Sequence, residues 1–348
     1  MLPRPPTASL LLRSPSSGLP ARRLSLSSAP PSAFFSRRLS SASTPPPRTA
    51  QRALLYVPGS NPKQLKKCLG GGLAQSQPDA LILDLEDSVR AEKKGEARRN
   101  VLDALQATPD CPSQKFVRIN SKQLGFDDLD VLLTTPHLEG LVLPKVHSAA
   151  DVQLVDRFIE EHGLPETKDK LRIVASIESP LALLNLREIA TSSRRLSSLL
   201  FAAEDYCASS NLIRTPSRRE MLFARSSVVT AAKAFGLKAV DLVCVQYKGD
   251  EALSVLEDEA REGRELGFDG KQAIHPAQVD VIQAAFTPSP AAIERALAIL
   301  SQYEAARSSG AGAYGLQNAD GSLSMIDAPM LLQAEGTLAQ ARAAGVDV

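Results

Sequence analysis

Residues 80–106 read ALILDLEDSVRAEKKGEARRNVLDALQ, and they hold one complete unit of the fold. Ala80–Leu85 is a nearly unbroken aliphatic run, the pattern of a strand covered on both faces, as in a parallel sheet. Carboxylates close it at Asp84, Glu86 and Asp87. From Val89 to Gln106 the apolar positions recur at helical spacing. The same strand-then-helix unit repeats on either side. Strands are predicted at Ala53–Val57, Ala80–Leu85, Lys115–Ile119, Gly140–Pro144, Arg172–Ile177, Ser198–Ala203, Ala239–Val245 and Lys271–Ile274. Helices are predicted at Val89–Gln106, Ala149–His162, Leu181–Ala190, Arg219–Phe235 and Asp250–Leu266. Gly236 follows the fourth of these, as a C-terminal glycine stop should. Eight such units in succession predict an α/β protein with a closed (β/α)8 TIM barrel. The rival is a doubly wound open sheet, which usually carries G-x-G-x-x-G after its first strand. The Gly70–Gly72 run lacks that spacing and reads as a helix stop. A last helix at Pro290–Ser308 and a small-residue linker, Ser308–Gly315, make a C-terminal helical extension.

Composition narrows the function classes. The 348 residues include 40 Lys+Arg and 39 Asp+Glu, but these are unevenly placed. The first acidic residue is Asp79. Residues 1–50 hold seven arginines, no lysine and many serines and prolines. Such a segment cannot bury a core, and it reads as an organelle transit peptide over residues 1–48, with the mitochondrial matrix as the expected destination; the alternative is a disordered basic tail. Without those arginines, 33 basic residues face 39 acidic ones, which argues against a nucleic-acid partner. No run approaches the ~20 apolar residues of a membrane span, so no membrane partner is expected. Cys68, Cys111, Cys207 and Cys244 are scattered and read as free thiols. The four histidines show no metal-ligand spacing. The expected organisation is a transit segment (1–48), a catalytic barrel (52–307) and a linker with a helical tail (308–348).

The polar residues gather where the predicted strands end: Asp84, Glu86 and Asp87, then Arg118, Lys145, Glu178, Glu204 with Asp205, and His275. Barrel enzymes build their sites at the carboxyl ends of the strands. Glu178 and Asp205 end neighbouring strands and offer hard oxygen ligands suited to Mg²⁺. Such an ion would chelate an α-keto acid and draw electrons toward its carbonyl. The alternative for Glu204–Asp205 is an N-cap pair for the next helix. Arg118 offers a planar fork for a carboxylate or an enolate oxygen. In the first loop, Ser60 or Asn61 can cap a helix that Pro62 begins. Lys63 and Lys67 stand four apart on one face of that helix, where they could hold the phosphates of a nucleotide-like carrier. The bland reading is a pair of solvated lysines.

An ordered set of motifs carries a resemblance. Arg52–Ser60 (RALLYVPGS), Leu83–Val89 (LDLEDSV), Phe116–Asn120 (FVRIN), Leu143–Lys145 (LPK), Ile177–Glu178, Glu204–Asp205, Gly270–Pro276 (GKQAIHP) and Gly321–Pro329 (GSLSMIDAP) together resemble the citrate lyase β-subunit-like (HpcH/HpaI aldolase) family. The likeness spans about residues 52–340. It implies a TIM barrel, a homotrimer, Mg²⁺, and cleavage of citramalyl-CoA to acetyl-CoA and the 2-oxo acid pyruvate. It implies that Glu178 and Asp205 bind the metal and that Arg118 contacts substrate. Tyr56, Lys63 and Lys67 match its CoA-side contacts, and Ile274 and His275 match a later substrate-binding segment. It makes Asp327 the acid/base residue, brought by the tail to a neighbouring subunit's mouth. Ala202 and Ala203 stand where the family often has glycines, so crowding is expected there. Malate-synthase-like condensation of acetyl-CoA with glyoxylate (the malyl-CoA lyase type), action on a carrier-protein thioester, and a non-catalytic acyl-CoA-binding protein are the alternatives.

Overall fold

The computed structural model describes residues 50–74, 76–308, 315–317 and 323–348. The expected transit segment and most of the expected Ser308–Gly315 linker lie outside them. The barrel elements run β1 (Ala53–Pro58), α1 (Pro62–Leu69), β2 (Ala80–Asp84), α2 (Lys94–Ala107), β3 (Gln114–Arg118), α3 (Lys122–Leu132), β4 (Gly140–Leu143), α4 (Ala149–His162), β5 (Arg172–Ile177), α5 (Pro180–Leu184), α6 (Leu186–Ala190), β6 (Leu196–Phe201), α7 (Ala203–Ser210), α8 (Leu222–Ala234), β7 (Lys238–Asp241), α9 (Ala252–Leu266), β8 (Gly270–Ala273) and α10 (Val279–Phe286). The extension adds α11 (Pro290–Ser308), β9 (Gly315–Gln317), β10 (Leu323–Met325) and α12 (Ala328–Ala343). Strands β1 to β8 pair in sequence order, and β8 pairs with β1 in parallel to close the barrel.

Two separate cores follow from the two-residue period of a strand. One face of each strand packs outward against the helices, with Leu55, Leu81, Leu83, Val117, Leu141, Ile173, Ala175, Leu199 and Ala239 all buried there. The other face points into the barrel, where Leu54, Ala80, Ile82, Phe116, Val142, Val174, Leu200 and Val240 form a plug with Tyr56 and Ala202 against it. The continuous aliphatic runs are therefore two interleaved apolar sets. Gly140 belongs to the inward set, and a Cβ there would collide with the Phe116 ring.

Several predicted boundaries move. The sixth strand is Leu196–Phe201 instead of Ser198–Ala203, because Ala202 is already the N-cap of α7. The seventh ends at Asp241 instead of Val245. Segment Leu181–Ala190 is two short helices that meet at Asn185. Gly236 does stop α8, at φ +70°. The hairpin of β9 and β10 was not foreseen.

The extension has its own core. Ile293, Ala296, Ile299, Ile326, Ala334, Leu338 and Ala341 form a cluster drawn from α11, α12 and the residue pair before α12. The outward faces of β7 and β8 carry a buried ion network. Arg225 and Asp241, each with a fully buried side chain, pair at 2.8–3.0 Å through two parallel hydrogen bonds. Lys271 Nζ lies 3.0 Å from Glu259 and donates to the Leu242 carbonyl at 2.9 Å. All four cysteines are free thiols, three of them buried.

Candidate active site

Strand parity decides which polar residues meet. Counting by twos from the inner apolar layer, Ile82 leads to Asp84, Phe116 to Arg118, and Val174 through Ser176 to Glu178. Leu54 leads to Tyr56 in the same way. These side chains therefore share one end of the barrel interior, directly above the apolar plug. Asp84 and Arg118 are register partners across β2 and β3. Arg118 Nε donates to Asp84 Oδ1 at 2.6 Å and Nη2 to Oδ2 at 2.8 Å, a bidentate pair of the strong kind. Its Nη1 lies 3.1 Å from Glu86 Oε2 and 3.3 Å from Asp87 Oδ2. Burial works against the charge on both partners and is the largest single influence on each, but the Asp84 hydrogen bond together with the surrounding negative charge holds Arg118 firmly protonated. The hydrogen bond and charge of Arg118, with the Ser88 and Glu86 N–H groups, keep the Asp84 carboxyl below its usual range despite burial.

Tyr56 sits beneath this pair. The Arg118 guanidinium carbon lies 5.0 Å from the Tyr56 ring centre. The Tyr56 hydroxyl donates to Gln272 Oε1 at 3.0 Å, and the Gln272 amide donates to the carbonyls of Phe201 and Asp241 at 3.0 and 2.9 Å. Burial pushes the phenol's pKa well up although Arg118 opposes this, so Tyr56 stays a neutral donor. Tyr56, expected as a CoA-side contact, lies by parity on the inward face of β1, partly buried against the inner core.

Glu178 is buried at 5% exposure. Burial, with the charges of Asp205 and Glu86 adding to it, pushes its carboxyl up to about 7, while Ser176 and the Lys145 backbone act in the opposite direction as hydrogen-bond partners. A buried carboxylate among other carboxylates is short of a cation. Asp205 lies in the first turn of α7, one residue beyond the exposed Glu204. Two hard oxygen donors fit Mg²⁺, which takes few protein carboxylates and keeps water or substrate at its other positions. Among the described residues no group of three or more His, Cys, Asp and Glu is placed together to hold a metal ion. Glu204 instead pairs with Arg214, which also donates to the Val243 carbonyl at 2.8 Å. The two alanines are accommodated: the Ala203 methyl is fully buried in the outer core and Ala202 packs on the inner one.

Lys145 follows β4 with φ +53°, a left-handed backbone that costs a non-glycine residue about 1–2 kcal/mol. Its ammonium lies 2.6 Å from Glu86 Oε1. A cavity of about 420 Å³ opens beside it, with Asn120, Lys122 and His147 in its lining. On the opposite rim Asn61 caps α1 by accepting from Gln64 N–H at 3.1 Å, and Lys63 and Lys67 are both exposed on that helix. Ile274 is 40% exposed, and its N–H donates to Gln278. The exposed His275 accepts from the Ala277 N–H through Nδ1 and stacks on Tyr247, ring centres 5.5 Å apart. Tyr247 was not singled out from the sequence; an aromatic residue followed by Lys248, just past a strand, was the available signal.

Asp327 stands apart from all of these. It is the N-cap of α12, exposed, and accepts from the Met330 N–H at 2.9 Å. Among the described residues no hydrogen bond or ion pair joins it to Arg118, Glu178 or Asp205.

The family model described as HpcH/HpaI aldolase/citrate lyase matches residues 52–276. The chain is similar to the mitochondrial citramalyl-CoA lyase of Homo sapiens, 34% identical over 83% of this chain and 84% of that one. It is also similar to a citrate lyase subunit beta-like protein of Deinococcus radiodurans, 35% identical over 82% of this chain and 96% of the relative. Among solved structures, CitE from Mycobacterium tuberculosis in complex with magnesium, acetoacetate and coenzyme A superposes with a TM-score of 0.64. It is 29% identical and covers 84% of this chain and 98% of its own.

Proposed function

Since the chain belongs to the HpcH/HpaI aldolase/citrate lyase family and is a carbon–carbon lyase acting on a CoA ester, we propose that it cleaves citramalyl-CoA to acetyl-CoA and pyruvate with Mg²⁺ as cofactor. The observation that carries the reading is the convergence of the Arg118 fork and the cation-starved Glu178 at one mouth. The human relative is named for citramalyl-CoA, and the M. tuberculosis structure holds magnesium with coenzyme A. Both support the choice of substrate and ion.

Glu178 and Asp205 would hold the ion. When bound it would polarise the oxygen that becomes the pyruvate carbonyl. Arg118, fixed by Asp84, orients the substrate carboxylate, and Tyr56 lends its ring and neutral hydroxyl to the floor. In the cleavage the tertiary hydroxyl loses its proton and its oxygen forms the carbonyl. The bond between C2 and C3 of the acyl chain breaks, and its electron pair passes into the thioester as an enolate. One proton then returns to that carbon to give acetyl-CoA. Asp327 is assigned this proton at the acetyl carbon, a role that contributes about 10²–10⁴-fold when the group is well placed. Lys63 and Lys67 at the α1 N-terminus, with Ile274 and His275 across the rim, are assigned to the CoA moiety. Since Asp327 caps a helix with its own core, we assign it to a neighbouring subunit's mouth in a homotrimer. The arginine-rich residues 1–48 are assigned to mitochondrial import.

The test is a panel of purified esters incubated with the protein and Mg²⁺: citramalyl-CoA, malyl-CoA and citryl-CoA, with release of pyruvate, glyoxylate or oxaloacetate measured. Pyruvate release that stops with chelator is the expected result. Preference for malyl-CoA moves the assignment to the glyoxylate reaction, and no turnover of any ester defeats the reading.

A further inference from the structure

We infer that Lys145 is a positioning residue whose ammonium, through Glu86, holds the substrate-binding arginine in place. The inference rests on the roles proposed above for Glu178 and Arg118. Arg118 ends β3, Lys145 follows β4 and Glu178 follows β5, so Lys145 stands between them on the barrel rim. Two different parts of it serve the two neighbours. Its ammonium holds Glu86 Oε1 at 2.6 Å, while Glu86 Oε2 lies 3.1 Å from Arg118 Nη1. Its backbone faces the Glu178 carboxylate as a hydrogen-bond partner. The backbone at Lys145 is left-handed, at φ +53°.

The residue type is informative. Glycine and asparagine adopt this backbone with least strain. A lysine keeps the turn and adds an ammonium that neither can supply, and strain retained beside a site is a reason to look for a use. The use is visible at Glu86. That carboxylate is only 5% exposed, and a buried charge needs its partners. It has two cations, Lys145 and Arg118. If the ammonium is removed, Arg118 is left as the one cation paired with the Glu86 carboxylate among the described residues, with Lys94 held on the Glu86 carbonyl, and is drawn from the orientation that receives a substrate carboxylate. The backbone contact to Glu178 does not depend on the side chain and should survive. Lys145 therefore separates into a backbone function on the metal side and a side-chain function on the carboxylate side.

The full-length protein tests this by calorimetry, first with Mg²⁺ alone and then with pyruvate at saturating Mg²⁺. Lys145→Gly preserves the turn and deletes the ammonium. It should bind Mg²⁺ like the wild type and pyruvate about tenfold more weakly, the size of one charge-assisted contact. Lys145→Asn, which also tolerates the backbone, should match it, and Lys145→Arg should recover most of the pyruvate affinity. Unchanged pyruvate binding in Lys145→Gly overturns the inference, as does an equal loss of Mg²⁺ and pyruvate affinity in both the glycine and asparagine variants. Wild-type protein that binds Mg²⁺ and pyruvate but cleaves no ester overturns the lyase assignment alone. Wild-type protein that binds neither overturns both.

Discussion

At the scale of single residues the site is governed by charge taken out of water. Arg118 is useful because Asp84, its register partner, fixes both edges of its fork. Lysine keeps the charge but cannot reproduce the bidentate geometry. Arg118→Lys should therefore lower kcat/KM by about ten- to a hundredfold, from the loss of one or two charged hydrogen bonds, with Tm little changed. Steady-state kinetics on citramalyl-CoA check this, and a wild-type kcat/KM would remove Arg118 from the substrate. Glu178 gives a pH prediction with a definite sign. Its carboxyl is raised from 4.5 to about 7 by burial and by Asp205, so the folded metal-free protein holds a proton that the unfolded chain has released. Stability of the metal-free form should then fall as pH rises from about 4.5 to 7 and stay reduced above that. With Glu178 as the proposed ligand, Mg²⁺ would bind the ionised form and relieve this penalty. The Mg²⁺-induced rise in Tm should be larger at pH 8 than at pH 6, and thermal shift scans at the two values decide it; equal shifts would place the metal elsewhere.

At the scale of elements, β7 and α8 are joined by the buried Arg225–Asp241 pair rather than by packing alone. Removing one partner of a buried pair costs up to about 3–5 kcal/mol, offset here in part by Lys271 Nζ, which lies 3.9 Å from Asp241. Arg225→Ala should lose about that much in urea unfolding, while the Asp241→Asn/Arg225→Met double change should lose clearly less. If the single variant unfolds like the wild type, the pair carries no weight. This pair lay beyond sequence reasoning, because a charge in an outward strand position looks solvent-exposed until a helix covers it. The barrel itself was legible, since eight aliphatic runs alternating with amphipathic helices admit few other arrangements. Strand ends were less so. In Ser198–Ala203 nothing in the composition says that alanine 202 leaves the strand and caps a helix. Inward parity could have been counted from Ile82 to Asp84, from Phe116 to Arg118 and from Leu54 to Tyr56, and that count puts all three side chains in the barrel interior. The left-handed turn at Lys145 has no signature in residue type, and the three-residue strands β9 and β10 are too short to show a period.

At the scale of the whole molecule, the arm of α11 and α12 packs upon itself, and its cluster shares no residue with either barrel core. A chain ending at Pro288 keeps all eight strands and should retain a cooperative unfolding transition while losing turnover. Failure of that shortened chain to fold would mean that the arm supports the barrel. Mixing tests the shared site more directly. Inactive Asp327→Asn chains and inactive Glu178→Ala chains, allowed to exchange subunits, should regain part of the activity, because some interfaces then pair an intact mouth with an intact aspartate; ring closure by head-to-tail contacts permits this. No recovery after verified exchange would confine the site to one chain. The separate core of the arm also sets a rule for handling the enzyme. If each barrel borrows its acid from next door, specific activity is a property of solution concentration. Dilution past the dissociation point would leave every chain folded, with its melting temperature intact and its magnesium still bound, yet idle. Such a loss, reversed by reconcentrating the sample, would be an equilibrium and not damage.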